Sequence, residues 1–482
     1  MTLGATARRG NVLAIDQGTS STKALVVSPG GSVLAFAEAP VRPVPVGDGG
    51  VEQDPGELWD SVIEAGRRAV SEAGVVVTAI GLANQGETVM AWDRGTGEPL
   101  APALSWQDRR SADICIRLAA DAERLTAVTG LPLDPYFVGP KVLWLRENVT
   151  RAGVVTTTDS WLVHRMTGAF VTDVSTASRT ALMDLDTRQW SAEACDRFEV
   201  DVRSLPEIVG CTTDVGTTDA FGAAVAVTGL AVDQQAALFG EGCLRVGQAK
   251  CTYGTGAFLL ANSGPVPRRS THGLSASVAW DDNGAVAYCL DGQLYTVGAM
   301  VGWLTQLGFV SAGADLDRVG STVSDSGGVT CIPALAGLGA PYWLPTARGS
   351  LEGLSLGTTA AHLVRAAMDG IAAQVALLAR ATAQDLGAPL ETLRVDGGLT
   401  QSRLLMQIQA DLLQAPVEVF ASPHATALGV AQLARNGVGG GDPVAVAGGA
   451  RYEPQISADE AARRLAGMEA AIARVIEADR SR

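Results

Sequence analysis

The chain is short of positive charge. Its 482 residues carry 36 lysines and arginines against 51 aspartates and glutamates, a formal net charge of −15. A nucleic-acid backbone or an anionic membrane would be repelled over much of such a surface, so neither is expected as the principal partner. An anionic ligand would have to be held largely by backbone N–H groups. Lysine is rarest of all: Lys23, Lys141 and Lys250 are the only three. Each falls inside a motif described below, although a coding preference for arginine explains the scarcity equally well.

Cysteine is present but unorganised. Cys115, Cys195, Cys211, Cys243, Cys251, Cys289 and Cys331 are odd in number, scattered and never spaced C-x-x-C. That argues against a disulfide framework or a zinc-ligand set and for reduced, buried thiols. Long apolar runs are missing too. The stretch after Arg8 and Arg9 is broken at Asp16, so no leader peptide is expected, and no run of about 18 uncharged apolar residues has the character of a membrane span. A cytoplasmic location is the expectation. The G-x-x-x-x-G-K-[ST] phosphate loop does not occur, and no strand-borne G-x-G-x-x-G supports a dinucleotide fold.

What is present is a globular enzyme's composition, 47% hydrophobic and 18% charged. The length suits two large α/β domains or about three domains of ~150 residues. Val12 to Asp16, a turn of glycine and hydroxyl residues, and Lys23 to Ser28 predict a β-hairpin, with a third strand at Ser32 to Glu38. Pro55 to Ala73 has helical spacing of Leu58, Val62, Ala65 and Ala69 behind Asp54, and a strand is expected at Val76 to Leu82. Gln248 to Leu260 repeats the hairpin plan around Gly254-Thr255-Gly256, which suggests two similar domains. Helix, strand, Gly397-Gly398, helix and the strand Val417 to Phe420 make a βαβ unit in the last third. The segment after Asn436 is glycine-rich, and a peripheral helix is expected from about Ala458.

Three features carry chemistry. The turn amides near Gly18 and the hydroxyls of Thr19, Ser20 and Ser21 suit phosphate oxygens, with Asp16 at the strand end placed for a metal ion; an ordinary polar turn has the same letters. Asp233 stands where an apolar strand hands over to a helix, as an N-cap, as a general base in a cleft, or as both. Gly353-Leu-Ser-Leu-Gly357 matches the hydrolase nucleophile elbow, with Asp369 and His424 in triad order, but no buried apolar strand leads into Ser355.

Taken together the motifs resemble the FGGY carbohydrate kinases, glycerol kinases most closely, from about Val12 to Asn436. They are Asp-Gln-Gly-Thr at 16 to 19, Trp-Gln-Asp-Arg-Arg at 106 to 110, Asp-Pro-Tyr-Phe at 134 to 137 with Lys141 and Trp144, and Thr-Asp-Ser-Trp-Leu at 158 to 162. Asp-Gln-Gln-Ala-Ala-Leu-Phe-Gly at 233 to 240, Thr-Tyr-Gly-Thr-Gly at 252 to 256, Gly-Leu-Gly-Ala-Pro-Tyr-Trp at 337 to 343 and Arg-Val-Asp-Gly-Gly at 394 to 398 complete the set. The resemblance implies a two-domain α/β, actin/Hsp70-like (ribonuclease H-like) ATPase fold with a deep cleft. Residues 1–241 would form the domain with the polyol or sugar site and the first phosphate hairpin, and residues 242–482 the nucleotide domain.

The same resemblance implies transfer of the γ-phosphoryl group of ATP, with Mg2+, to a primary hydroxyl of glycerol or a larger polyol or open-chain sugar. It makes Asp233 the catalytic base and gives Asp16 a part in positioning the metal. It puts Thr19, Ser20, Ser21, Lys23 and Thr255 on phosphates and Gly298, Gly398 and Ser402 near the nucleotide. Glu87, Trp106, Tyr136, Gln234 and Phe258, together with Asp233, match positions that line the polyol pocket. A homodimer is compatible with it. The rival from another class is an actin-like ATPase that gates a protein partner.

The departures concern substrate. Glycerol kinases carry an arginine where this chain has Gly86, and its loss removes up to five donors and is expected to leave space beside Glu87. Gly302 and Ser402 differ from the usual Gln and Asn on the nucleotide side. Gly222 to Thr228 lacks the basic segment through which some glycerol kinases sense fructose bisphosphate, so that control is expected to be absent.

Overall fold

The computed structural model describes residues 10–440 and 448–481. The first half opens with β1 (Asn11–Gln17), β2 (Ser21–Val27) and β3 (Val33–Pro40), the antiparallel meander expected from the turn residues. Helix α1 (Pro55–Ala73) starts where the Asp54 carboxylate accepts the Gly56 N–H and stops where Gly74 turns left-handed at φ 60°. Its buried stripe of Leu58, Val62, Ala65 and Ala69 and helix α2 (Thr158–Thr167) cover the sheet face that carries Leu13, Ile15 and Val26. Strands β4 (Val77–Asn84), β5 (Thr217–Thr218) and β6 (Val225–Val232) complete a six-stranded sheet in the order β5-β6-β4-β1-β2-β3. The half ends in α3 (Asp233–Gly240).

The second half repeats the plan. Strands β7 (Ala249–Tyr253), β8 (Ala257–Gly264), β9 (Ser275–Asp282) and β10 (Ala285–Leu294) are followed by α4 (Gly298–Gln306), α5 (Ala360–Leu386), β11 (Leu393–Asp396), α6 (Arg403–Leu413) and β12 (Val417–Phe420). After α7 (Ala425–Gly437) come β13 (Gly448–Tyr452) and α8 (Ala458–Arg480). The sheet order is β9-β10-β8-β7-β11-β12-β13. In both sheets a hairpin pairs its first strand in parallel with a later strand, and that strand in parallel with the next. The repeat is therefore structural, although only a glycine and a threonine are shared in letters.

One reading needs correcting and one a qualification. Helix α5 is long and apolar enough to cross a membrane by length and hydropathy, but it carries charged residues, and most of it is buried inside this half, where it packs on α6, α8, β8 and β10. Strand β13 closes the sheet edge beside β12 within what the sequence presented as a glycine-rich connection, of which 441–447 lie outside the described residues. The helix from Ala458 is found as expected, with the Ser457 hydroxyl accepting the Glu460 N–H. All seven cysteines are free, six of them buried and Cys115 half-buried.

The halves exchange helices. Helix α3 lies on β8 and β9 of the second sheet, while α7 lies on β1, β4 and β6 of the first, and the two cross. Glycine permits this. A Cβ on Gly429 would fall 1.8 Å from the Ala236 carbonyl oxygen, and one on Gly240 would fall 2.2 Å from that of Ala425.

Candidate active site between the two halves

A cavity of about 280 Å³ opens between the β1–β2 turn of the first half and the β7–β8 turn of the second. Of the catalytic, metal, phosphate, nucleotide and acceptor residues that the resemblance implies, it brings together all except Gly298, Gly398 and Ser402. Asp16 reaches it from the end of β1. The turn is closed by the Gly18 N–H donating to the Ser21 carbonyl at 3.0 Å. The Trp106 Nε1–H donates to Thr19 Oγ1 at 2.8 Å, so the threonine proton stays available to a ligand. Ser20 is exposed at the tip, whereas the Ser21 hydroxyl donates to Glu38 at 2.6 Å and is already engaged.

The apolar wall comes from both halves. The Trp106 ring meets Tyr136 edge-on at 5.9 Å and Phe258, from β8, at 5.8 Å. Such a wall suits the C–H face of a small polyol. Glu87 stands in a turn with a left-handed φ of 54°. The fully buried Lys141 ammonium holds that turn by donating to the carbonyls of Glu87 at 3.1 Å and Tyr136 at 2.5 Å. Burial lowers Lys141 to about 7. Lys250, equally buried, donates to the Gln234 side chain and to Thr252 Oγ1 at 2.7 Å. All three lysines thus border the cleft or buttress its walls, which coding preference does not explain.

Asp233 is the first residue of α3, and Val232 occupies the N-cap place, so the capping role weighed from sequence is not the one found. One carboxylate oxygen accepts the Gln234 N–H at 2.7 Å, and the other makes no hydrogen bond among the described residues. Burial, with Asp16 and Glu87 close by, raises Asp233 to about 7 against the pull of Lys250 and the Gln234 N–H. Asp16 is raised to about 6 by burial; Lys23 opposes this, while Asp396 and Glu38 add to it.

Asp396, at the end of β11, keeps a buried oxygen without a partner among the described residues. Excess carboxylate with an unsatisfied oxygen fits a divalent cation. Among the described residues no three His, Cys, Asp or Glu side chains converge to enclose one. Magnesium, which binds through one or two carboxylates with water and phosphate oxygens, asks for no larger set.

The remaining three residues are placed otherwise. The Gly298 N–H donates to the Gly254 carbonyl at 3.0 Å, and a Cβ there would come within 2.6 Å of that oxygen, so this glycine lets α4 abut the second turn. Gly398 has open space, while its neighbour Gly397, at φ 96°, lies against the backbone of Tyr253. Ser402 caps α6, accepting the Leu405 N–H at 3.1 Å and donating to Asp317, so the nucleotide contact anticipated for it finds no free hydroxyl. Ser355 of the hydrolase-like motif is on an exposed turn. Its supposed partners are engaged elsewhere, Asp369 with Arg365 at 3.1 Å and His424 stacked on Phe36 at 4.8 Å.

Gly86 borders the cavity together with Glu87 and Tyr136, as expected, but its own Cβ place is not empty. A Cβ at that position would meet Val232 Cγ2 at 2.9 Å. One oxygen of Glu87 is already paired: the Arg179 Nε–H donates to it at 2.6 Å, with both side chains about 5% exposed. Sequence reasoning missed Arg179, because its partners lie 92 and 112 residues away and Ser-Arg-Thr at 178–180 carries no spacing signal.

Glu241, just after α3, was also missed. It is buried, neither carboxylate oxygen has a partner among the described residues, and burial with Asp396 nearby pushes it well above its ordinary range against the pull of Lys250 and Arg394. The folded protein therefore keeps a proton that the unfolded chain releases above 4.5, so this group lowers stability as pH rises from there through its folded-state value. Glu241→Gln should raise the melting temperature at pH 8 by about 2 °C or more and hardly at all near pH 4. Melts at both pH values check this; an equal gain at both would contradict it.

Residues 11–240 match the N-terminal domain of the FGGY family of carbohydrate kinases, and residues 249–436 match its C-terminal domain. A glycerol kinase of Alkalilimnicola ehrlichii is 42% identical over 483 residues, covering 96% of this chain and 98% of that protein. Glycerol kinase of Plasmodium falciparum, solved with ADP, superposes with a TM-score of 0.88 at 29% identity over 96% of this chain and 98% of that one. A xylulose kinase structure from Brucella ovis gives 0.85 at 26% identity, covering 96% and 99%. The shared architecture is the two-domain, actin- and Hsp70-like fold anticipated from the motifs. Matched from its first strand into α7, and with a relative this similar along nearly its whole length, the chain belongs to the FGGY family of carbohydrate kinases.

Proposed function

We propose that this chain transfers the γ-phosphoryl group of ATP to a primary hydroxyl of glycerol or a somewhat larger polyol or open-chain sugar. The observation that carries the reading is Asp233, whose free carboxylate oxygen borders a cavity between two hydroxyl-lined turns and an aromatic wall. Asp233 takes the proton of the attacking hydroxyl, late in the transfer, as that oxygen becomes acidic. Thr19, Ser20 and Thr255, the turn amides and Lys23 hold the phosphates; Trp106, Tyr136, Phe258, Glu87 and Gln234 hold the acceptor. Gly398, with open space at its Cβ place, keeps the second half's backbone bare for the nucleotide, and Gly298 lets α4 lie beside the second phosphate turn. Asp16 would hold Mg2+, which when bound supplies positive charge to the phosphoryl oxygens. Residues 1–241 and 242–482 are the two working domains on this reading.

The relatives described as glycerol kinases and the related structure holding ADP support it. A coupled ADP-release assay over polyols and ketoses of three to five carbons tests it. At least one acceptor is expected to stimulate ATP turnover by about tenfold or more, since acceptor binding completes the site and excludes water. Stimulation by none would remove the reading and favour an ATPase that answers to a protein partner.

A further inference from the structure

Arg179 is a cation in the acceptor end of the cavity that no motif announced. It follows the single helical turn Val174–Ala177, is 4% exposed, and borders the cavity together with Glu87, Tyr136 and Asp291. Its Nε–H donates to Glu87 at 2.6 Å and its Nη1 donates to Asp291 of β10, which also accepts the Ser275 hydroxyl. Its Nη2 bonds nothing among the described residues. One carboxylate oxygen of Glu87 is likewise without a hydrogen-bond partner. The Phe137 ring centroid lies 5.2 Å from the guanidinium carbon and that of Tyr136 5.9 Å, so the group is fixed by charge on two sides and by rings beside it.

We propose that Arg179 determines acceptor specificity by binding the hydroxyl adjacent to the one phosphorylated. Resting on the kinase reading above, this makes a vicinal diol the preferred acceptor. The adjacent hydroxyl accepts from the unspent guanidinium N–H groups and donates to the free oxygen of Glu87. Residue 179 thereby does what Gly86 has no side chain to do. The anchors of the guanidinium come from both halves, Glu87 from the first and Asp291 from the second, so the donor fork is held in place before the acceptor arrives.

The test compares glycerol with the three-carbon diol that lacks the middle hydroxyl, in wild type, Arg179→Lys and Asp291→Asn. Arg179→Lys keeps a positive charge between the two carboxylates but loses the fork. It should cut kcat/KM about 10- to 100-fold for glycerol and less than about threefold for the diol, with the KM for ATP within about twofold. Asp291→Asn removes one anchor with little change of shape, and should show the same selective loss at smaller size even where Arg179→Lys does not fold. Equal losses for both acceptors, or no loss in either variant, would show that Arg179 only neutralises buried carboxylates and would overturn the proposal. If the wild type phosphorylates neither these acceptors nor any other polyol, the kinase reading fails and this inference falls with it.

Discussion

Asp233→Asn is expected to lower kcat between about a hundredfold and ten-thousandfold, the range for removing a positioned general base, while the KM for ATP stays near wild type. The amide can still accept the Gln234 N–H through its oxygen, as the carboxylate does at 2.7 Å. Its nitrogen then faces the cavity and cannot take a proton. The free enzyme should show a matching acid limb. Asp233, raised to about 7, must be ionised to act, so kcat/KM should fall about tenfold per pH unit below that value. Stability should move the other way. A carboxylate raised by burial costs the fold more as pH climbs through about 7, so the variant should melt higher than wild type at pH 8 and no higher at pH 4. Near-normal turnover in the variant, or an acid limb centred below about pH 5, would exclude Asp233 as the base.

The second large effect is structural. Gly429→Ala should destabilise the protein by about 3 kcal/mol or more, the upper end for overpacking, because the added carbon meets the Ala236 carbonyl at 1.8 Å and two helix backbones must part. Gly467→Ala, on the exposed face of α8 with nothing within 4 Å, is the control and should stabilise by about 0.5–1 kcal/mol. Denaturant melts of both variants decide it. A Gly429→Ala protein as stable as wild type would mean that α3 and α7 do not cross at backbone contact.

What could be read in advance follows from the range of the interaction. The β1–β2 and β7–β8 hairpins, α1 behind Asp54-Pro55 and β12 at Val417–Phe420 are set by neighbours within a few residues, and the letters carry them. The acceptor pocket depends on partners far apart in the chain. From letters alone Gly86 looks like an empty place; in three dimensions it borders the cavity, but the Val232 methyl group crowds its Cβ place and Arg179 already holds its neighbour Glu87. Ser21 and Ser402 fail as free donors for the same reason, since Glu38 and Asp317 reach them from other elements. The helix exchange was illegible because no local pattern distinguishes a helix that covers its own sheet from one that covers its neighbour's.

That exchange bears on how the protein is made. Val12, Ala14, Ala79, Ala83 and Ala231 form the face of the first sheet against which α7 packs, in one core with Val430, Ala431 and Ala434. During synthesis this face waits for a helix that begins only at Ala425. At ordinary elongation rates the interval between the end of α3 and the start of α7 is roughly 10 to 40 s, long enough for a bare apolar sheet to meet other chains. The half translated first therefore stays incomplete until most of the second has been made, and cutting the gene after residue 241 would release a sheet with one face uncovered.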